Sequence, residues 1–305
     1  YSSIYKLNKI NNFSLSKNII QTSKLLRQAV HRQMISDAPV GAFLSGGLDS
    51  SSIVNFAKEI DKDIKCFTID TSKYKDNEGI IGDLEYAKKV SRHLNVSLEI
   101  VPVDHNQLAK SLEKMIYQLD EPLADPAPLN VLWISQIASN LGIKVLLSGA
   151  GGDDLFSGYR RHFALNIEHI WEWLPIKIRY KFEKLSSKLP NTSPFLRRFN
   201  KAFSAASLSK EERLLNYFRW IKRADLQNLY SDELRKFVSI EDADQPIKNF
   251  LYELSSEMKN LEKMLRIEQR FFLTDHNLLY TDKMSMAEGV ETRVPFLDND
   301  LVDFA

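Results

Sequence analysis

Cysteine is almost missing from this sequence: Cys66 is the single thiol among 305 residues. A disulfide framework is therefore excluded, and Cys66, set inside the strand pattern Lys65-Cys66-Phe67-Thr68-Ile69-Asp70, reads as a small buried thiol and not as a nucleophile. Net charge is nearly missing too. The 41 basic and 40 acidic residues leave +1, which gives no reason to expect a broad nucleic-acid or membrane surface. No apolar stretch approaches the roughly 18 residues that a membrane span needs, and no charged-then-apolar leader opens the chain, so a cytoplasmic location is the default expectation. The six histidines lack metal-ligand spacing, and the near pair His162 and His169 reads as structural. Internal repeats and low-complexity tracts are absent. What the chain does have is 44% hydrophobic residues, enough to furnish the core of one large domain or two small ones.

The apolar residues are ordered along the chain. Ile19, Leu26, Val30 and Met34 recur at helical spacing across residues 15–35. Short apolar runs then alternate with helical patterns: strands are expected near 40–44, 65–69, 97–102 and 143–147, and helices near 51–60, 83–94, 105–119 and 128–141. Such alternation predicts an α/β fold, a parallel twisted sheet with helices on both faces, whose ligands sit beyond the carboxyl ends of the strands. From about 160 to 280 the pattern is mainly helical. Trp171, Trp173, Tyr180 and Phe182 there, and Leu214, Leu215, Phe218 and Ile221 after them, read as packed helix faces.

Three segments stand out against this background. In the first, Val40-Gly41-Ala42-Phe43-Leu44-Ser45-Gly46-Gly47-Leu48-Asp49-Ser50-Ser51, an apolar run breaks into a glycine-rich hydroxyl loop that opens a helix. Gly46 and Gly47 permit dihedrals that turn successive amides toward one anion, while the serine hydroxyls and the helix start favour the same charge. No lysine follows the glycines as the Walker pattern demands, and the spacing is not that of a dinucleotide fold. The second segment, Lys144 to Tyr159, is again a buried-strand pattern ending in small residues, Ser148-Gly149-Ala150-Gly151-Gly152, then two acids, Asp153 and Asp154. The third runs from Asp282-Lys283-Met284-Ser285-Met286-Ala287 to Glu291-Thr292-Arg293-Val294-Pro295-Phe296-Leu297-Asp298. Ser45 and Ser148 both fall at strand ends, so two motifs distant in sequence converge on one crevice.

The loop Ser45-Gly46-Gly47-Leu48-Asp49-Ser50-Ser51 resembles the pyrophosphate loop of the N-type ATP pyrophosphatases, which split ATP between the α and β phosphates. With all three segments in this order, the chain resembles the synthetase domain of the glutamine-dependent asparagine synthetase family over nearly its whole length, closely from Asp37 to Gly158 and from Asp275 to Ala305. The resemblance implies an adenine nucleotide alpha hydrolase-like fold in a single synthetase domain over 1–305. Residues 1–160 would form the α/β ATP-binding part and 161–280 a helical part, with 281–305 returning to the crevice. It further implies an N-terminal glutaminase domain that this chain does not include, and a catalytic lysine beyond Ala305.

The implied reaction is ATP-dependent amide formation: a carboxylate, by default aspartate, is adenylated with release of pyrophosphate, and ammonia drawn from glutamine displaces AMP. ATP and Mg2+ are the implied cofactors. Asp49 and Asp153 match the family's metal positions. Leu44, Ile69, Ser148 and Gly149 align with its adenosine contacts, and Ser45, Gly46, Gly47, Leu48, Asp49, Ser50 and Ser51 form the pyrophosphate loop. Asp49 and Asp153, with Lys283 and Arg293 as cations to offset phosphate or carboxylate charge, complete the catalytic set; surface salt bridges are the plainer reading of the two cations. The expected partners are a small-molecule carboxylate and a glutaminase domain supplying ammonia, without nucleic acid or membrane, and a homodimer is a possible assembly. One position departs from the pattern. Ala150 stands where aspartate-amidating relatives usually carry an acid, and alanine cannot accept a proton. Either another group such as Asp125 takes that role, or the acceptor is a uronic-acid carboxylate on a nucleotide sugar, as in the branch tied to bacterial surface-polysaccharide synthesis. A nucleotide-binding subunit without catalysis is the remaining alternative.

Overall fold

The computed structural model describes residues 13–70 and 83–305, apart from positions 104, 124, 187, 190–192, 194–195, 197–199, 201–202, 220, 222 and 240–241. Two compact units emerge. The first joins Tyr1–Phe156 to Leu273–Ala305, and the second is Ser157–Phe272.

The first unit begins with helix α1 (Leu15–Gln33), capped by the Ser14 side chain. Strand β1 (Val40–Phe43), helix α2 (Leu48–Ala57), β2 (Lys65–Asp70), α3 (Asp83–Leu94), β3 (Ser97–Pro102), α4 (His105–Gln118), α5 (Ala127–Asn140), β4 (Val145–Leu147) and α6 (Gly152–Phe156) follow in alternation. The predicted strands and helices are therefore present, with bounds shifted by a few residues. Strand order is β3-β2-β1-β4-β5 and every pairing is parallel. The edge strand β5 (Glu291–Arg293) is absent from the sequence-based expectation because Glu-Thr-Arg has no apolar run to betray it.

Alternation along the strands explains the two covered faces. Ala42, Leu44, Cys66 and Leu147 point into one cluster with Leu26 and Val30 of α1 and Ile53 and Val54 of α2. Phe67, Leu146 and Val101 point the other way, against Leu129, Leu132 and Trp133 of α5 and Met284. Both sides of the sheet are thus buried, which is what a parallel sheet requires. Cys66 is fully buried, and burial pushes its thiol up to about 12, so it is no nucleophile.

Within the second unit, α7 (Arg160–Ile167), α8 (Ile176–Ser186) and helices Lys210–Asn216, Arg223–Leu229, Gln245–Glu253 and Asn260–Ile267 carry the described structure. Leu165, Leu214, Leu251, Met264 and Ile267 form its core. Buried charges there are paired: Arg213 Nε donates to Glu168 at 2.7 Å, and Tyr217 donates its hydroxyl to the same carboxylate at 2.8 Å. His162, 2.6 Å from buried Glu268, belongs to such a structural network, in keeping with its reading from sequence. The aromatic stretch departs from expectation. Trp171 is buried, but Trp173, ahead of α8, is 74% exposed, and Tyr180 is 55% exposed because α8 turns only one face inward.

Candidate active site

The strand order reverses direction at β1: β2 and β3 lie on one side, β4 and β5 on the other. At such a switch point the loops leaving two neighbouring strands splay apart and open a crevice. The loops leaving β1 and β4 are the two glycine-rich segments. β1 and β4 are aligned with Ala42 opposite Leu147, so Ser45 and Ser148 follow at the same carboxyl edge.

The first loop is shaped by its own hydroxyls. Gly47 N donates to Ser45 Oγ at 3.3 Å, Ser45 N to Ser50 Oγ at 3.3 Å, and Ser50 Oγ to the Gly47 carbonyl at 3.3 Å, with the two hydroxyls 3.1 Å apart. Gly46 has φ +80°, and a Cβ there would lie 2.4 Å from the backbone of Tyr86 and Ala87 in α3, so no other residue fits. Gly47 is the N-cap of α2. The first amides of α2 consequently have no helical acceptor, the general condition under which a helix start can receive an anion. Ser51 Oγ is buried and without a hydrogen-bond partner among the described residues. Leu48 projects at the loop tip, 82% exposed, whereas the Leu44 side chain is buried in the core and Ile69, at the end of β2, is half-buried against the other cluster.

Glycines let the second loop close on the first. A Cβ on Gly149 would lie 3.0 Å from Ser50 N, and one on Gly152 would lie 2.5 Å from the Asp49 carboxylate. Gly151, at φ +87°, leaves room for Leu297 of the third segment, whose Cδ2 would stand 2.8 Å from an added Cβ. All three sequence segments therefore meet in the first unit. Ser148 Oγ accepts from Ala150 N at 3.2 Å, and Ser148 N donates to the Arg293 carbonyl at 2.8 Å, which stitches β4 to β5.

Asp49 is half-buried and faces the charge of Asp153. Burial first, and that like charge second, push its carboxyl from 3.8 up to about 6. The neighbouring acid is used differently. Asp154 is fully buried, and its charge acts on Tyr280, whose phenol is pushed up to about 12 by burial, then by Asp125 and Asp154. Asp125 is itself held: it accepts from Ala127 N at 2.8 Å and pairs with His276 Nε2 at 3.1 Å, while the His276 ring meets Tyr280 edge-on at 5.3 Å. His276 and Tyr280 were not singled out from sequence, although they lie in the Asp275–Ala305 stretch of close resemblance.

The two predicted cations have partners of their own. Lys283, on the helix Leu279–Met286, reaches Asp120 at 2.8 Å, and that hydrogen bond and charge raise its pKa. Arg293 Nη1 donates to the carbonyls of Gln33 and Ile35, both at 2.7 Å, at the exposed end of α1, and its Nε pairs with Glu291 at 2.8 Å. Its guanidinium thus caps a helix end as cations do.

Comparison with known proteins gives the geometry a family. The asparagine synthase model matches residues 21–305. The chain belongs to the asparagine synthase family. Asparagine synthetase [glutamine-hydrolyzing] 1 of Bacillus subtilis is 27% identical over 290 residues, covering 95% of this chain and 43% of that protein. A putative asparagine synthetase [glutamine-hydrolyzing] of Mycobacterium tuberculosis is 28% identical over 281 residues, covering 92% and 41%. Amidase chyE of Penicillium rubens is 24% identical over 314 residues, covering 92% and 44%. The chain thus spans under half the length of these relatives.

For an asparagine synthase chain, the residues present suit a nucleotide with its metal. The orphaned Ser51 hydroxyl and the amides at the start of α2 are donors of the kind that phosphate oxygens would satisfy. Two carboxylates that repel each other form a donor set suited to a divalent cation. Among the described residues no group of three or more His, Cys, Asp and Glu side chains could hold a metal by itself. Two carboxylates completed by phosphate oxygens and water are the coordination that magnesium takes in nucleotide sites.

Proposed function

We propose that this chain is the synthetase part of an ATP-dependent amide-forming ligase working in the cytoplasm, where ATP and glutamine are supplied. The observation that carries the proposal is the pair of glycine-rich loops at the switch point, closed so tightly that Gly152 touches the Asp49 carboxylate. A carboxylate oxygen of the acceptor attacks the α-phosphorus, the bond from that phosphorus to the bridging oxygen breaks, and pyrophosphate leaves with the negative charge. The amides of Gly46 to Ser50 and the Ser51 hydroxyl receive that charge. Asp49 and Asp153 would hold Mg2+, which supplies neutralisation of the phosphates. Lys283 turns from Asp120 toward the developing charge. Ammonia from a glutaminase domain then attacks the acyl carbon, its nitrogen gives up one proton to water, and AMP departs as the bond from the acyl carbon to the phosphate oxygen breaks.

Aspartate is the default acceptor. Ala150 favours a second reading, a uronic-acid carboxylate on a sugar, because no acid stands there to draw the proton from the amine. Amide and AMP formation by the full-length protein with ATP, Mg2+ and ammonium, using L-aspartate in one arm and UDP-glucuronate in the other, tests both. Equimolar AMP and amide in either arm supports the ligase and names its acceptor class. ADP in place of AMP overturns it.

A further inference from the structure

The net charge of +1 averages away one surface of the second unit. On α8, Lys177, Lys181 and Lys184 follow at spacings of four and three, so they share one side of the helix, and Lys188 continues the row just past its end. All four side chains are exposed and line one open hollow. Two charged groups of this helix, Arg179 and Glu183, are turned inward. Arg179 donates to the carbonyls of Leu174 and Ala206, at 3.1 and 2.9 Å, and Glu183 accepts from Ser207 N at 2.9 Å. The outward face is thereby basic. It is also apolar: Ile176, Tyr180 and Leu185 flank the lysines and are more than half exposed, and Trp173 stands 74% exposed one turn earlier.

We propose that this face docks the protein on an anionic lipid surface. Lysines that alternate with exposed aliphatic and indole groups suit the headgroup boundary, where the ammonium groups meet lipid phosphates and the apolar side chains enter the acyl edge. Nucleic acid would reward the lysines and the aromatic rings but gains nothing from exposed Ile176 and Leu185. An amphipathic segment of 11 residues spans about 16 Å, enough for a peripheral, reversible contact. Among the described residues no helix is long and apolar enough to cross a membrane.

The test is flotation of the full chain with vesicles of phosphatidylcholine alone or mixed with phosphatidylglycerol, at low and high salt, with a single-stranded oligonucleotide as a separate arm. Binding should require the anionic lipid, weaken with salt and shift the Trp173 emission to the blue, a shift missing in Trp173→Phe. Neutralising three lysines together, in Lys177→Gln/Lys181→Gln/Lys188→Gln, should weaken it about 100-fold, from roughly fivefold per lysine. These exposed changes leave folding intact, as circular dichroism will confirm. No vesicle binding, equal binding to both vesicle types, an unaffected triple variant, or tighter binding to the oligonucleotide overturns the proposal.

Discussion

Replacing Asp49 by asparagine should make the ligand-free protein more stable while destroying its nucleotide site. The Asp49 carboxyl rises from 3.8 to about 6 on folding, through burial and then the Asp153 charge. A carboxyl whose pKa is raised by folding opposes folding once it must ionise. Below 3.8 it is protonated in both states and costs nothing; between 3.8 and about 6 the unfolded chain ionises first and the penalty grows; above about 6 the penalty is complete. A rise of this size corresponds to about 3 kcal/mol at 1.36 per unit, and the partial exposure of Asp49 cuts this to about 1 kcal/mol. Asparagine keeps the shape without the charge, so the variant should melt about 2–4 °C higher at neutral pH. The advantage should shrink as pH falls and vanish below about 4. Melting curves of both proteins from pH 4 to 8, without nucleotide or divalent cation, measure it. An Asp49→Asn protein less stable than wild type at pH 7, or a gain that does not depend on pH, would refute the electrostatic argument.

Three further outcomes follow from the same geometry. Gly152→Ala pushes a methyl into the Asp49 carboxylate, at 2.5 Å before relaxation; stability should fall by about 1 kcal/mol, while magnesium-dependent ATP affinity, read by calorimetry, should fall more than about tenfold. Arg293→Ala removes two charge-assisted bonds from the carbonyls of Gln33 and Ile35. It should cost about 2 kcal/mol by denaturant titration, and a fully stable variant with lost activity would instead assign the guanidinium to substrate. Lys283→Gln replaces a side chain in a solvent-facing ion pair, so stability should move by less than about 0.5 kcal/mol, whereas pyrophosphate release should slow roughly 100-fold.

Much of this was legible in the sequence, for physical reasons that can be named. Periodicity revealed the sheet because parallel strands buried on both faces are continuous apolar runs, as in Val145-Leu146-Leu147. The loop chemistry was legible because glycine at a positive φ and serine at a helix start are needed for local reasons, which sequence carries directly. Tertiary relations were not. That Gly152 is where the Asp49 carboxylate lies, that Gly151 makes room for Leu297, or that Arg293 caps α1 depends on residues about 100 to 260 positions apart. The polar strand β5 was hidden because its pairing with β4, and no apolar pattern of its own, makes it a strand. The lysine face of α8 was masked because Arg179 and Glu183, which the fold turns inward, stand between the lysines in sequence.

Calorimetric titration of ATP into the wild-type protein and into Asp49→Asn, each with and without Mg2+, tests the central claim most directly. Binding that requires Mg2+ in the wild type and is lost in a well-folded Asp49→Asn is the predicted result. Binding of equal strength in the two proteins, or none in a folded wild-type full-length sample, would contradict a nucleotide and metal site at the two glycine-rich loops.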